Sequence, residues 1–421
     1  MDRVILHVDL NCFYASVEMV FNPALRGQAV AVCGSTEDRH GIVLAKSELA
    51  KAAGVKTGMV TYEAKRLCPG LVVVPPHFAY YHKFSKYAAN IYRRYTELVE
   101  PFGLDENWLD VTASMHKYES PFALAEEIRE TIKRELGLTV SIGVSFNKVF
   151  AKLGSDLKKP DATSLIPREK YREIVWPLPV GDLLFVGRAS EKKLRLYGIN
   201  TIGDLANAEP SFLETLLGKN GLMLYEFANG RDHARVLCED EITPTKSIGH
   251  GITCNADVTD DEEVARIFLE LSQDIARQLR KEGLFAGGIQ IAIKDKNLEV
   301  KQFDTVIRHR TQHAGEIAEE GYRLYRAKYK KELPIRALTI RATRLYQTAE
   351  GDQGDLFFTY EKRRKGEELD AAIDDIERTF GYGAIRPCAI LLNTKTRCAD
   401  PPQSVLPNPF YAIGSFESED K

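Results

Sequence analysis

None of the seven cysteines (Cys12, Cys33, Cys68, Cys238, Cys254, Cys388 and Cys398) forms a Cys-x-x-Cys pair, and no histidine stands at zinc-finger spacing from them. That speaks against a disulfide framework and a structural zinc site; reduced thiols in a cytoplasmic setting fit instead. No stretch approaches the ~18 uncharged apolar residues a membrane span needs, so no membrane partner is expected. Residues 1–10, MDRVILHVDL, carry Asp2 and Arg3 ahead of a polar-interrupted run and are expected to be a strand, not a signal peptide. Net charge is missing too: 57 Lys and Arg meet 60 Asp and Glu, a net −3, which announces no polyanionic partner by itself. With 44% hydrophobic residues the chain is not a disordered one. Its 421 residues exceed what one core organises, so several domains are expected.

What is present is pattern. Residues 4–9 (VILHVD) form a β-rich run ending in an aspartate, and Phe13, Val17 and Val20 follow at helical spacing. Apolar runs at 29–33 and 41–44, a helical pattern over 78–99, and the hairpin-like VEPFGLDENWLDV come next. A helix over 122–136, the strand TVSIGVS and a helix capped by Asn147 close an alternating α+β region at about residue 166. Between 167 and 235, prolines and glycines punctuate short helices. Two of them flank a turn at Val186 and Gly187, the pattern of a helix-hairpin-helix whose backbone N–H groups meet a phosphate. Any αα-hairpin with a glycine turn shares that pattern. Residues 243–346 alternate again as a small α+β domain, and 301–347 hold 11 Lys and Arg against 5 Asp and Glu. A loop (347–360), a helix and strand (361–398) and a Pro-rich tail (399–421), expected to be disordered, complete the chain.

Three acidic residues stand out. Asp9 ends an apolar strand, and Asp105 and Glu106 sit at the hairpin tip. Carboxylates at neighbouring strand ends can converge on Mg²⁺; equally, Asp9 could cap the following helix and Asp105 serve the turn.

The surrounding words decide more. VDLNCFYASVE at 8–18, GLDENWLDV at 103–111 and SIGVSFNKVFAKLGSDLKKPD at 141–161 together resemble the Y-family DNA polymerases, in their bacterial DNA polymerase IV branch. The resemblance runs from about residue 1 to 398. It implies a monomeric, multidomain α+β right hand: ferredoxin-like palm and small fingers in 1–166 (fingers about 22–76), helix-hairpin-helix thumb in 167–235, and α+β little finger in 243–346. It implies low-fidelity translesion synthesis on primer–template DNA from dNTPs, without proofreading, by two Mg²⁺ ions for which Mn²⁺ can substitute. Asp9, Asp105 and Glu106 match the catalytic and metal-binding carboxylates, and Leu10 the backbone carbonyl on the second metal. Tyr14 matches the steric gate under the sugar, with Phe13 core and its backbone near the triphosphate. Lys159 matches the triphosphate lysine.

There are departures. Gly103 stands where the family often has serine. The fingers' usual Tyr and Arg are Glu48 and Lys51, which leaves Lys51, with Lys46, as candidate triphosphate donors. For DNA, the expectation falls on the Val186–Gly187 turn and on Arg308, Arg310, Arg336 and Arg341, phosphate contacts that carry no sequence preference. Finally, QGDLFF resembles the bacterial sliding-clamp-binding peptide, with Gln353 as anchor and Leu356, Phe357 and Phe358 entering a pocket.

Overall fold

A computed structural model describes residues 3–35, 41–238, 241, 245–330, 332–347 and 360–391. The expected clamp segment at 353–358, residues 392–398 and the tail at 399–421 lie outside the described residues. The chain divides into two compact units, Met1–Cys33 with Val43–Thr243 in the first, and Pro244–Gln403 with Gly34–Ile42 in the second.

The first unit opens with β1 (Ile5–Leu10), α1 (Phe13–Phe21), β2 (Val30–Cys33), β3 (Val43–Lys46), α2 (Glu48–Ala52), α3 (Thr61–Leu67), β4 (Val72–Val74) and α4 (Phe78–Tyr92). It continues through β5 (Val99–Pro101), β6 (Glu106–Asp110), α5 (Pro121–Leu136), β7 (Val140–Ser145), α6 (Lys148–Leu157) and β8 (Thr163–Leu165). The sheet order β5-β6-β1-β7-β8 puts β1 at the centre, and β3-β2-β4 form a separate small sheet. Every residue of β1 is buried, because helices cover both faces. Leu6, Val8 and Leu10 share a core with Phe13, Phe84, Ile91, Leu124 and Ile128. By strand alternation Ile5, His7 and Asp9 face the other way. There they meet α6 and its C-terminal extension: Ile5 packs with Ala151, His7 Nδ1 lies 2.9 Å from Ser155 Oγ, and Asp9 pairs with Lys159. As the Asn147 spacing suggested, its side chain caps α6, accepting from the Phe150 N–H at 2.8 Å.

α6 lies unusually close to the sheet. A Cβ on Gly143 of β7 would stand 1.9 Å from the Ala151 carbonyl oxygen and 2.3 Å from the Ser155 nitrogen. A Cβ on Gly154 would stand 3.1 Å from the Gly143 Cα. Glycine is required at Gly143 by backbone approach alone.

α7 (Tyr171–Val175), α8 (Arg188–Leu196), α9 (Ile202–Ala206), α10 (Pro210–Leu217) and α11 (Lys219–Ala228) pack Leu194, Ile202, Leu205, Leu213 and Leu224 onto Phe146, Val149 and Phe150 at the start of α6. The hairpin helix expected before the Val186–Gly187 turn is only a three-residue 3₁₀ turn, Val180–Asp182. Pro177, Pro179 and Gly181 leave too short a run between breakers for an α-helix. The helical pattern over 78–99 also stops early, at Tyr92, because Val99 is taken by pairing with Leu109 in β6.

The second unit follows β9 (Ser247–Val258), α12 (Asp261–Lys281), β10 (Phe285–Asp295), β11 (Val300–Thr311), α13 (Ala314–Lys328) and β12 (Ile335–Tyr346), with sheet order β11-β10-β12-β9. α12 and α13 cover one face, over Ile289, Ile291, Ile293, Leu338 and Ile340. α14 (Tyr360–Phe380) and α15 (Cys388–Leu391) close the described chain, so its 361–391 part carries a second short helix and no strand. Buried Asp370 of α14 accepts from the Ala314 N–H at 2.9 Å and from His313 at 2.7 Å, and Arg280 grips Asp374 through both carboxylate oxygens at 2.6 and 2.9 Å.

Gly143→Ala should lower stability by about 3 kcal/mol or more, since the obstacle is backbone and cannot rotate away. A thermal melt within a degree of the parent would show that α6 is free to retreat.

Candidate active site

Antiparallel pairing of β1 with β6 sets Asp9 opposite Glu106, and the Leu10 N–H donates to the Asp105 carbonyl at 2.9 Å. Asp9 and Glu106, 97 positions apart in sequence, are thereby neighbours. Leu10 is buried, its side chain packing in the core. Gly103 gives Asp105 room: a Cβ there would press on Asp105 Oδ1 at 3.3 Å.

Each carboxylate is electrostatically distinct. Asp9 is 6% exposed, and burial, with Glu106 nearby, pushes its carboxyl up to about 7 against the pull of Lys159. Burial and the Glu106 charge raise Asp105 to about 6. Glu106 goes the other way: burial opposes ionisation, but His7 and Lys152 outweigh it and hold the carboxyl below its ordinary range. Lys159 Nζ lies 2.5 Å from Asp9 and 2.7 Å from Asp156; Lys152 Nζ lies 2.8 Å from Glu106. Although burial alone would lower it, Asp9 and Asp156 keep the Lys159 ammonium above its usual value. Among the described residues no three His, Cys, Asp or Glu side chains stand as a ready-made metal cluster. Lysines instead neutralise two of the acids.

Sequence reasoning missed Lys152 and His7. Both were signalled by spacing: Lys152 is one turn after Lys148 on the sheet-facing side of α6, and His7 is in phase with Asp9 on β1. His7 is fully buried, and burial pushes it down to about 4, so the ring is neutral near pH 7. Its Nε2 lies 3.4 Å from Glu106 Oε2.

Tyr14 is half-buried and stacks on Tyr81 at 4.2 Å with the rings 8° apart, its edge toward Phe78. The Tyr81 hydroxyl donates to buried Glu18, which His77 also reaches at 2.9 Å. Burial, and then Asp105, push the Tyr14 phenol up to about 12. Phe13 is core, as helix phase indicated.

The fingers candidates are engaged locally. Lys46 donates to Thr57 Oγ1 at 3.0 Å, and Lys51 sits 3.5 Å from Glu48. Glu48 in turn accepts from the Cys12 thiol at 3.1 Å. In the thumb, the Val186 N–H is spent on the Leu183 carbonyl at 3.0 Å, which corrects its expected role as a phosphate donor. In the second unit, Arg308 and Arg310 share the sheet face opposite the helices, and Arg341, exposed, lies over Gly249 on that same face. Arg336 falls in a bulge between Ile335 and Ala337 and is half-buried.

Residues 8–156 match the impB/mucB/samB family, residues 245–356 its C-terminal domain, and residues 181–232 the DNA polymerase-iota thumb domain. The chain is 48% identical over 386 residues to DNA polymerase IV of Acetivibrio thermocellus, covering 92% of this chain and 97% of that protein. It is 36% identical over 395 residues to DNA polymerase IV 1 of Bacillus subtilis, covering 94% and 95%. A solved Y-family DNA polymerase chimera shares the fold at a TM-score of 0.73 and 23% identity, over 82% of this chain and all 100% of that one. The chain belongs to the Y family of DNA polymerases, in its DNA polymerase IV branch.

The raised Asp105 carboxyl has a consequence for stability. Folded, it keeps its proton to about pH 6; unfolded, it releases it near 4. Between those values the folded chain binds more protons, so stability falls as pH rises through the window. Asp105→Asn removes that cost: in chelator-treated buffer the variant should melt above the parent at pH 7.5, the gap closing by pH 4. A variant melting lower at pH 7.5 would contradict the assigned strain.

Proposed function

We propose that the chain performs template-directed, low-fidelity translesion DNA synthesis, joining a dNTP to a primer 3′-hydroxyl in line at the α-phosphate with pyrophosphate leaving. The observation that carries this reading is the backbone pairing that sets Asp9 of β1 opposite Glu106 of β6, with Asp105 the preceding residue and Lys159 paired to Asp9. The donor set suits hard divalent cations: all-oxygen, partly desolvated, and held at a cost that positive charge relieves. Asp9, Asp105, Glu106 and the Leu10 carbonyl would hold two Mg²⁺, or Mn²⁺, which when bound supply charge stabilisation at the attacking and departing oxygens. Lys159 is poised to exchange partners, giving up Asp9 for the triphosphate as the nucleotide enters. Lys51 and Lys46 can join it only by leaving Glu48 and Thr57, so the fingers grip is the weaker half of the site. The Tyr14 ring, backed by Tyr81, excludes a 2′-hydroxyl.

The small fingers sheet and short α2 and α3 leave the templating base little covered, which favours damaged templates over accuracy. Arg308, Arg310 and Arg341 would track the duplex backbone, with Gly187 and α8 as a second phosphate contact. Residues 353–358 would tether this monomeric, cytoplasmic, non-proofreading enzyme to the bacterial sliding clamp.

Primer extension tests the reading. Asp105→Asn should lose at least about a hundredfold in extension rate with Mg²⁺, and retained activity would remove the carboxylates from the chemistry. Tyr14→Ala should admit ribonucleotides; unchanged sugar discrimination would dismiss the gate. A Gln353→Ala, Leu356→Ala, Phe357→Ala variant should lose clamp affinity while extending a short primer normally, and full affinity would dispose of the tether.

A further inference from the structure

The turn before α8 contains an anomaly that the chemistry at Asp9 does not use. Leu183 to Val186 form a four-residue turn closed by the Val186 N–H, and its third residue is Phe185 with φ 70. That position belongs to glycine or asparagine, because a Cβ in left-handed backbone crowds the following carbonyl. A bulky ring there is strained. The strain gains no full burial in return: Phe185 is 58% exposed, touching Phe227 only at a 6.2 Å centroid distance. Strained backbone of this kind concentrates where a ligand or partner is held.

The surroundings say what that is. α8, which starts two residues after Val186, carries Arg188, Lys192, Lys193 and Arg195, and Arg188, Lys192 and Arg195 line a shallow surface hollow with Glu191 and Leu196. Arg195 is bound to Glu191 at 2.8 Å, which leaves the start of the helix the more positive end. A polyanion is drawn to Gly187 and Arg188, and the ring beside them then faces the element that alternates with phosphate along a duplex, the apolar face of deoxyribose.

We propose that Phe185 is a DNA-contacting residue that packs its ring on a backbone sugar of the primer–template duplex, next to the phosphate held at the start of α8. This rests on the reading that the thumb grips the duplex. The contact is apolar, so it adds affinity without releasing counterions, in contrast to the neighbouring Arg188. It explains why a costly residue occupies a glycine position: the thumb gives up stability for grip.

The two properties move in opposite directions, which makes the test sharp. Binding of the full-length protein to a fluorescent primer–template duplex is measured by anisotropy across a KCl series, beside thermal melts of the unliganded protein. Phe185→Gly should melt a few degrees higher, yet bind duplex about fivefold or more weakly at every salt concentration, with the parent's salt slope. Phe185→Ala, which keeps the left-handed strain, should lose the same affinity without the gain in melting temperature. Arg188→Ala should flatten the salt slope by about one. Three results would overturn the proposal: parental affinity in Phe185→Gly, a lower melting temperature in that variant (the ring then being thumb core), or a loss confined to single-stranded template. Should the parent itself show no salt-dependent duplex binding, the thumb reading fails first; a flattened slope in Arg188→Ala with parental affinity in Phe185→Gly fails the ring alone.

Discussion

The closeness of α6 to the central sheet is the constraint from which the site follows. A helix advances ~6 Å in four residues and a strand ~6.6 Å in two, so the two keep step over a short distance. Ala151, Ser155 and Lys159 therefore stay abreast of Ile5, His7 and Asp9. On the next strand Lys148 and Lys152 stay abreast of Trp108 and Glu106, through a 3.0 Å bond from the Trp108 indole N–H to the Lys148 carbonyl and the 2.8 Å Lys152 pair. Side chains as long as lysine could bridge a wider gap, but Ser155 could not reach His7. Gly143 and Gly154 thus determine polar chemistry in which neither takes part.

The electrostatics follow from that placement. Three acids gathered in partly desolvated surroundings repel one another, and the fold meets the difficulty unevenly. Glu106 receives Lys152 and the edge of His7 and stays ionised. Asp9 receives Lys159 but is more deeply buried, and Asp105 has no cation in contact. Positive charge is thus supplied in a form that can be withdrawn, since ammonium groups on flexible stems exchange partners readily. A rigid guanidinium fork on the same acids would stabilise the fold more firmly and obstruct anything that must later bind there.

Much of this was legible in the sequence, for identifiable reasons. β1, the hairpin, the Asn147 cap and the helices of the second unit follow from period-two and period-3.6 patterns that the core enforces. The three carboxylates were singled out because the words around them are distinctive, whereas spacing alone left caps and turns as rival readings. His7 and Lys152 went unread because their roles arise from helix-on-strand register, which no single segment displays. The Val186 N–H was misassigned because hydrogen bonds inside a turn depend on the conformation of its third residue, and a phenylalanine at 185 gives no hint of left-handed backbone. Helix 78–99 was overextended because Tyr95 and Leu98 keep helical spacing while Val99 is claimed by a distant strand.

α1 ties the Tyr14 ring stack to α2. Its N-cap, Cys12, holds Glu48 at 3.1 Å; Tyr14 stacks on Tyr81; and Glu18, one turn on, secures the Tyr81 hydroxyl. Tyr14 and Glu18 are on the same helix, so the stack closes on itself and cannot drift without distorting α1. At the cap end the Cys12 thiol fixes the carboxylate of Glu48, a side chain that cannot donate to a phosphate. On the proposed function, an α2 held by its own acid would tighten on a triphosphate less freely than one carrying a phenol and a guanidinium at those positions. Sugar selection, on the proposed function, would therefore lean on this ring stack more than on closure above the phosphates.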